Sequence, residues 1–566
     1  MSSKRKRIIS CVIGGIVLAM LLFGALRSPR TNSSGVDAVT FSRASGFYDD
    51  PFDLELRFDG GKVYYTLDSS DPNEHSTPYE GPIHIADASA NENVYCMNED
   101  LSLEYHPDII KHAGHSVHYG YKLPQSKVDK VTVVRAVGVD AAGNRSDVVT
   151  GVYFVGFQNK TGYDNFGIIA ITTDPKNLFD PEHGIYVLGN AFAKKLVNGY
   201  FKKTSALYEA WPANYNRRGR EWEREAAVAC FDTDRRLLFS GNLGIRIQGK
   251  MARGMLPRSL NLFARKEYGQ VDIPALDLFG ENWRLSSLNL HAGAHTMRDM
   301  LRDYLANTLT SHLNFDTRVY KPYQLFLDGE YWGVYWLTPR YEKEYFQSKY
   351  GVPSDEVIDV KEDKIEIGRA EDIELYNEMK SFITDNDMSD PAMYARACEL
   401  VDMSSCIDYY ATEIYIANTD WPHGNVALWR TRGNDSGVYG DGRWRWILYD
   451  LNLAMALKHS ETDTVTRSMK QSPMLASLMD SPDFTQALHA RLVELAENEF
   501  NPARIETFIR DYETFMVDAM ENEYIRFYDA EKTADDFIRM CENVVTFFQR
   551  RCVYILENYG DELERK

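Results

Sequence analysis

Asp420, Asn425 and Asp450 are residues whose types and spacing could carry out phosphoryl transfer. That chemistry needs a carboxylate to orient the attacking hydroxyl and oxygen ligands for the magnesium that neutralises the phosphates. Here a carboxylate is followed five residues on by an amide, then by a short hairpin pattern, then by a second carboxylate. Asp and Asn are also common turn residues, so the three taken alone are readable as an Asx-turn and two loop ends. The His-Arg-Asp and Asp-Phe-Gly triplets that mark such sites in protein kinases are absent.

Several local patterns must position these residues. Ile407, Tyr410, Ala411, Ile414 and Tyr415 recur at helical spacing after Asp402, and residues 418–425 form a loop signalled by Pro422 and Gly424. Strand-like runs at Val426–Arg430 and Trp444–Tyr449 then deliver Asp450. Upstream, Leu243–Gln248 and Leu260–Ala264 read as strands around the connection Gly249–Arg258, whose backbone N–H groups could face phosphates. Residues 296–313 read as an amphipathic helix, and Asp328-Gly329 between Tyr323–Leu327 and Tyr331–Leu337 is a strong hairpin signal. Gly167–Ile171 and Gly184–Gly189 read as short strands, and Val360-Lys361 ends another. Ala206–Glu225, with Arg217, Arg218 and Arg220, reads as a solvated charge run.

Residues 420–430 followed by 444–451 resemble the CotH kinase family, the spore-coat-type atypical kinases. Gly244–Gly249 with Arg253, Arg258–Gly269, Met300–Asp303 and Phe326–Tyr335 are similar to the same family, so the likeness runs from about Asn165 to the C-terminus. The resemblance implies a kinase that moves phosphate from ATP to protein hydroxyls with Mg2+, on coat or envelope proteins. It implies Asp420 as the catalytic residue and Asn425 and Asp450 as magnesium ligands. Arg258 stands where the family has lysine, making it the expected phosphate cation, with Lys250 and Lys361 as substitutes. Asn452 replaces an acid of the family's Asp-x-Asp, which leaves a neutral third metal ligand, and Pro339 lies near an expected glutamate. These departures keep a second reading open, a catalytically degraded structural or binding protein of the envelope or spore coat.

Composition sets the frame. With 44% hydrophobic and 13% aromatic residues, 566 residues can bury large cores. A net charge of −20 argues against a nucleic-acid partner. Lys4–Arg7 precede the uncharged run Ile8–Leu26, long enough for a single membrane helix, with the N-terminus cytoplasmic and the bulk outside. Seven scattered cysteines, from Cys11 to Cys552, form neither a disulfide framework nor a zinc pattern.

Between Asp37 and Gly156 short alternating runs read as a β-sandwich. Val63–Pro72 with Ser76, Tyr79, Gly81 and Pro82 resembles the sandwich module at the C-terminus of chitobiases, which implies a spacer or a contact with polysaccharide. Beyond Ser472 helical spacing dominates. The expected fold is α+β, with a membrane anchor and linker over 1–37, a β-sandwich over 38–157, a kinase-like domain over 158–471 and its helical cap over 472–566.

Overall fold

Short runs of alternating side chains build the N-terminal region. Five strands form one sheet in the order Gly46–Tyr48, Val149–Val155, Thr132–Asp140, Gly61–Thr66, Thr77–Pro78. Two short ribbons, Phe52–Leu54 with Ile83–Ile85 and Thr40–Phe41 with Leu56–Arg57, complete it. Because successive strand residues point to opposite faces, the sheet is buried on both. Val134, Ala136 and Tyr153 join the ribbons' Leu54, Leu56 and Ile85 in one core, whereas Val133, Val152 and Phe154 belong to the main core of the chain. The Phe154 ring packs on Phe231 and Phe326 at 5.6 and 5.3 Å, so the second face of the sheet is covered by the next part of the chain.

This computed structural model describes residues 35–105, 121–197, 211–293, 300–433, 437–528 and 532–560. The expected membrane run Ile8–Leu26 lies outside them. Among the described residues no helix is long and apolar enough to cross a membrane.

A closed seven-stranded barrel follows, in the order Gly167–Thr172, Arg224–Phe231, Leu237–Ile247, Leu260–Phe263, Ser287–His291, Glu330–Pro339, Lys321–Leu327. It closes where Lys321–Leu327 lies parallel to Gly167–Thr172, with Gly167 opposite Tyr323. Closure leaves no exposed edge. All six residues of Gly167–Thr172 and all ten of Glu330–Pro339 are buried. The Asp328-Gly329 hairpin turn has φ +48° and +88°, the left-handed pair that suits a two-residue hairpin. The solvated charge run is exposed as expected at Arg217, Arg218, Arg220 and Glu225, but its last residues, Arg224 and Glu225, also open the strand Arg224–Phe231, most of whose remaining residues turn inward. Gly184–Gly189 also departs from expectation. It forms turns rather than a strand, because Ile185 and Tyr186 donate to the Asn177 and Leu178 carbonyls.

A second sheet, Lys364–Ile367, Val357–Lys361, Ala427–Thr431, Arg445–Ile447, packs on the helix Met403–Tyr415. The C-terminal region is helical: Thr464–Gln471, Pro473–Met479, Pro482–Glu497, Pro502–Tyr528 and Ala534–Ile555. Its helix starts are written locally. Asp463, Ser472 and Ser481 each accept a backbone N–H at a helix N-terminus, and Pro473 and Pro482 occupy first-turn positions where no donor is lost. The architecture is thus mixed α+β, β-rich at the N-terminal end and helical at the C-terminal end.

Candidate active site

Helix Met403–Tyr415 starts at Asp402, whose side chain accepts the Ser405 N–H, and ends on carbonyls that other side chains hold. Arg551, 1% exposed, donates to the Ile414 and Tyr415 carbonyls at 2.8 and 2.9 Å, and also to those of Ser460 and Thr462. Arg467 donates to the Asn418 carbonyl at 2.6 Å, and the Asn418 side chain accepts the Asp420 N–H at 3.2 Å. Trp421 is fully buried beside Tyr410 at 5.5 Å, which anchors the loop directly after Asp420. The apolar stripe and the capping arginines therefore fix where this carboxylate stands.

Asn425 and Asp450 face each other across the short hairpin. Both adopt the left-handed region, with φ of +57° and +60°. For a non-glycine residue that costs about 1–3 kcal/mol, and such strain clusters at functional sites. The Asn425 amide donates to the Asp450 carbonyl at 3.3 Å, and Tyr409 donates its hydroxyl to the Asn425 carbonyl at 3.4 Å. Asp303 secures the other side, accepting the Leu451 N–H at 3.1 Å. Asp450 itself is open to solvent yet walled by protein on most sides, as a side chain at the floor of a cleft must be.

The electrostatics of that cleft follow from crowding. Burial pushes the Asp450 carboxyl up, with Asp303 and Asp420 adding to the shift while Lys361 and His291 oppose it. Burial likewise pulls Lys361 down from the ordinary lysine range, helped by Arg318 and resisted by Asp450. The Lys361 ammonium lies 3.9 Å from the Tyr449 ring centre. His291 is pushed down to about 4 by burial, against Asp450, and is a neutral imidazole near pH 7. Asp359 is raised to about 7 by burial and by Glu366, and its Oδ1 is buried without a partner. Burial pushes Glu413 up to about 8; Asn418 and Arg467 pull against that, and Asp303 and Asp450 add to it.

The structure brings Asp420, Asn425, Asp450, Asn452 and Lys361 to one place. Asn452 Oδ1 is a buried acceptor with no partner. Lys250 is exposed on the glycine-containing connection. Arg258 does not face the cleft: it is fully buried, donates to the carbonyls of Arg253 and Leu101 at 2.7 Å, and stacks on Tyr215 at 4.2 Å. Pro339 is a paired strand residue opposite Leu288, and Glu342 nearby accepts the Ser286 hydroxyl and pairs with Arg340.

Sequence reasoning missed Arg318. Its guanidinium lies over the Tyr341 ring at 4.6 Å, its Nε has no partner, and it acts on His291, Lys361 and Asp359 together. The neighbouring Asp316 backbone exchanges hydrogen bonds with Trp446 and Leu448, which pins Arg318 near the strand that leads to Asp450. The only local cue was a cation beside a buried acid, Asp316-Thr317-Arg318.

The loops between the barrel and the helical region carry a carboxylate, an amide and a second carboxylate, residue types that phosphoryl transfer uses. Residues 245–555 match the family described as CotH kinase protein, and residues 52–153 match the Fn3-associated family. The first match spans more than half of the chain, which therefore belongs to the CotH kinase protein family. No curated protein matches it.

Proposed function

We propose that this cleft binds magnesium-ATP and transfers its terminal phosphate to a protein hydroxyl. The reading is carried by one observation, the convergence of Asp420, Asn425 and Asp450 with Lys361 and Arg318. Among the described residues no group of three or more His, Cys, Asp or Glu is arranged to hold a metal alone. That suits magnesium, which is commonly bound through one or two carboxylates plus substrate phosphates. The unpartnered Asn452 Oδ1 and the crowded Asp450 carboxyl are the features a divalent ion would satisfy. Asp450, Asn425 and Asn452 would hold it, and its charge would offset that of the phosphates.

The remaining work belongs to the chain. Lys361 and Arg318 draw the phosphates against the barrel side of the cleft. Asp420 orients the acceptor hydroxyl and takes its proton as the oxygen bonds to the γ-phosphorus and the bond to the bridging oxygen breaks, releasing ADP. The acceptor is proposed as an envelope or coat protein, with the Fn3-associated region offering a contact to polysaccharide.

Calorimetry with ATP, with and without magnesium, and transfer of labelled phosphate to the protein itself or a generic acceptor test this. Magnesium-dependent binding with transfer is expected. No nucleotide binding would overturn the assignment, and binding without transfer to any acceptor would support the degraded reading, which Arg258's withdrawal from the cleft and the neutral Asn452 favour.

A further inference from the structure

The chain carries a second set of cations that this chemistry does not use. Arg526, on helix Pro502–Tyr528, is fully buried, and its Nε, Nη1 and Nη2 all lack a hydrogen-bond partner. Its guanidinium lies 4.4 Å from the centres of both the Trp332 and Phe527 rings. Arg258, equally buried, uses Nε and Nη2 on carbonyls but leaves Nη1 without a partner. The Tyr105 hydroxyl is also buried and unpartnered, and lies within electrostatic reach of both guanidinium groups.

Aromatic rings cover the faces of these guanidinium groups, and all the N–H groups of Arg526 and those on Nη1 of Arg258 are left without an acceptor. A charge taken out of water costs several times more when nothing pairs with it. Nearby carboxylates are engaged elsewhere: Glu330 accepts the Val94 and Cys96 N–H groups, and Glu104 accepts the Tyr121 N–H. Two arginines and a phenol therefore offer donors with no acceptor, inside the junction of the N-terminal β region, the barrel and the long helix.

We propose that Arg526, Arg258 and Tyr105 enclose a structural inorganic oxyanion of the phosphate or sulfate kind. The planar fork of Arg526 suits two oxygens of one anion at once, which a spherical halide cannot exploit. Arg258 Nη1 and the Tyr105 hydroxyl, both buried, supply further donors. The anion acts by binding the folded chain and not the unfolded one, so it raises apparent stability by mass action.

The test is thermal unfolding of the full chain in phosphate-free buffer, titrated with phosphate, sulfate or chloride at ionic strength held constant with gluconate. Tm is expected to rise saturably with phosphate or sulfate and to stay flat with chloride. Arg526→Met should abolish the saturable rise, whereas Lys361→Met, which alters only the cleft, should keep it. Should Arg526→Met fail to fold, Tyr105→Phe decides, since losing one hydroxyl should shift the midpoint to several-fold higher anion. An equal response in wild type and the interior variants overturns the proposal, as does the absence of any response or an equal response to chloride.

Discussion

The cleft and the buried junction of the N-terminal β region, the barrel and the long helix both gather cations, and they use them in opposite ways. In the cleft, Lys361 and Arg318 share space with Asp450, Asp303 and Asp420, and Asp450 is exposed to solvent. At the junction, Arg258 and Arg526 are fully buried against aromatic rings; Arg258 donates to the Arg253 and Leu101 carbonyls, and the Arg526 N–H groups have no acceptor. The difference arises from a one-residue step. Arg258 and Ser259 are neighbours just before the Leu260–Phe263 strand with different partners: Arg258 donates to the Arg253 and Leu101 carbonyls, and Ser259 accepts the Ala292 N–H beside His291. Arg258 is thereby engaged away from the cleft, and Arg318, from between helix Arg302–Leu309 and strand Lys321–Leu327, is the arginine that acts on Lys361 and His291.

The largest expected effect is in the cleft. Asp450→Ala should abolish magnesium-dependent ATP binding by calorimetry, because the neutral Asn452 cannot replace the charged ligand. Asp420→Asn should leave binding in place and lower phosphate transfer by about 10²–10⁴-fold. In the interior, Arg258→Met should lower unfolding free energy in urea by about 3 kcal/mol, since two buried carbonyls lose their donor, with little change in ATP affinity. A selective loss of ATP affinity with unchanged stability would break the comparison.

Glu413 lies beneath the cleft and sharpens the contrast through pH. Its folded carboxyl at about 8, against an ordinary 4.5, means the folded state binds more protons between those values. Stability from this group is therefore present below pH about 4.5 and is lost as pH rises to about 8, by up to roughly 1.4 kcal/mol per pH unit. Urea unfolding at about pH 5 and about pH 8 should show that decline, and Glu413→Gln should flatten it. The smallest effect is expected for exposed Lys250, where Ala should change stability by less than about 0.5 kcal/mol and leave ATP affinity as it was.

Local order was legible wherever one period dominated. The stripe from Ile407 to Tyr415 is a helix, and the Asp328-Gly329 hairpin lies where its turn chemistry indicates. Asp420, Asn425 and Asp450 were readable because a helix, a loop and a hairpin adjacent in sequence place them together. Barrel closure was not readable, since it depends on Lys321–Leu327 pairing parallel with Gly167–Thr172, far upstream. Arg224–Phe231 hid behind its charged opening residues, and helix Pro502–Tyr528 runs to 27 residues because Tyr524 and Phe527 extend its buried face. Arg318 and His291 gain meaning only through topology, because no spacing rule links them to Asp450.

The hold of Arg551 on Ile414 and Tyr415 also has a consequence in time. At synthesis rates of about 5–20 residues per second, residue 551 leaves the ribosome on the order of ten seconds after Asp420. Until then the helix that presents Asp420 lacks the donor for its last carbonyls. Translation thus imposes a lag between making the Asp420 loop and fastening it, and a nascent chain halted before its final helix carries the candidate site residues in an unlatched form.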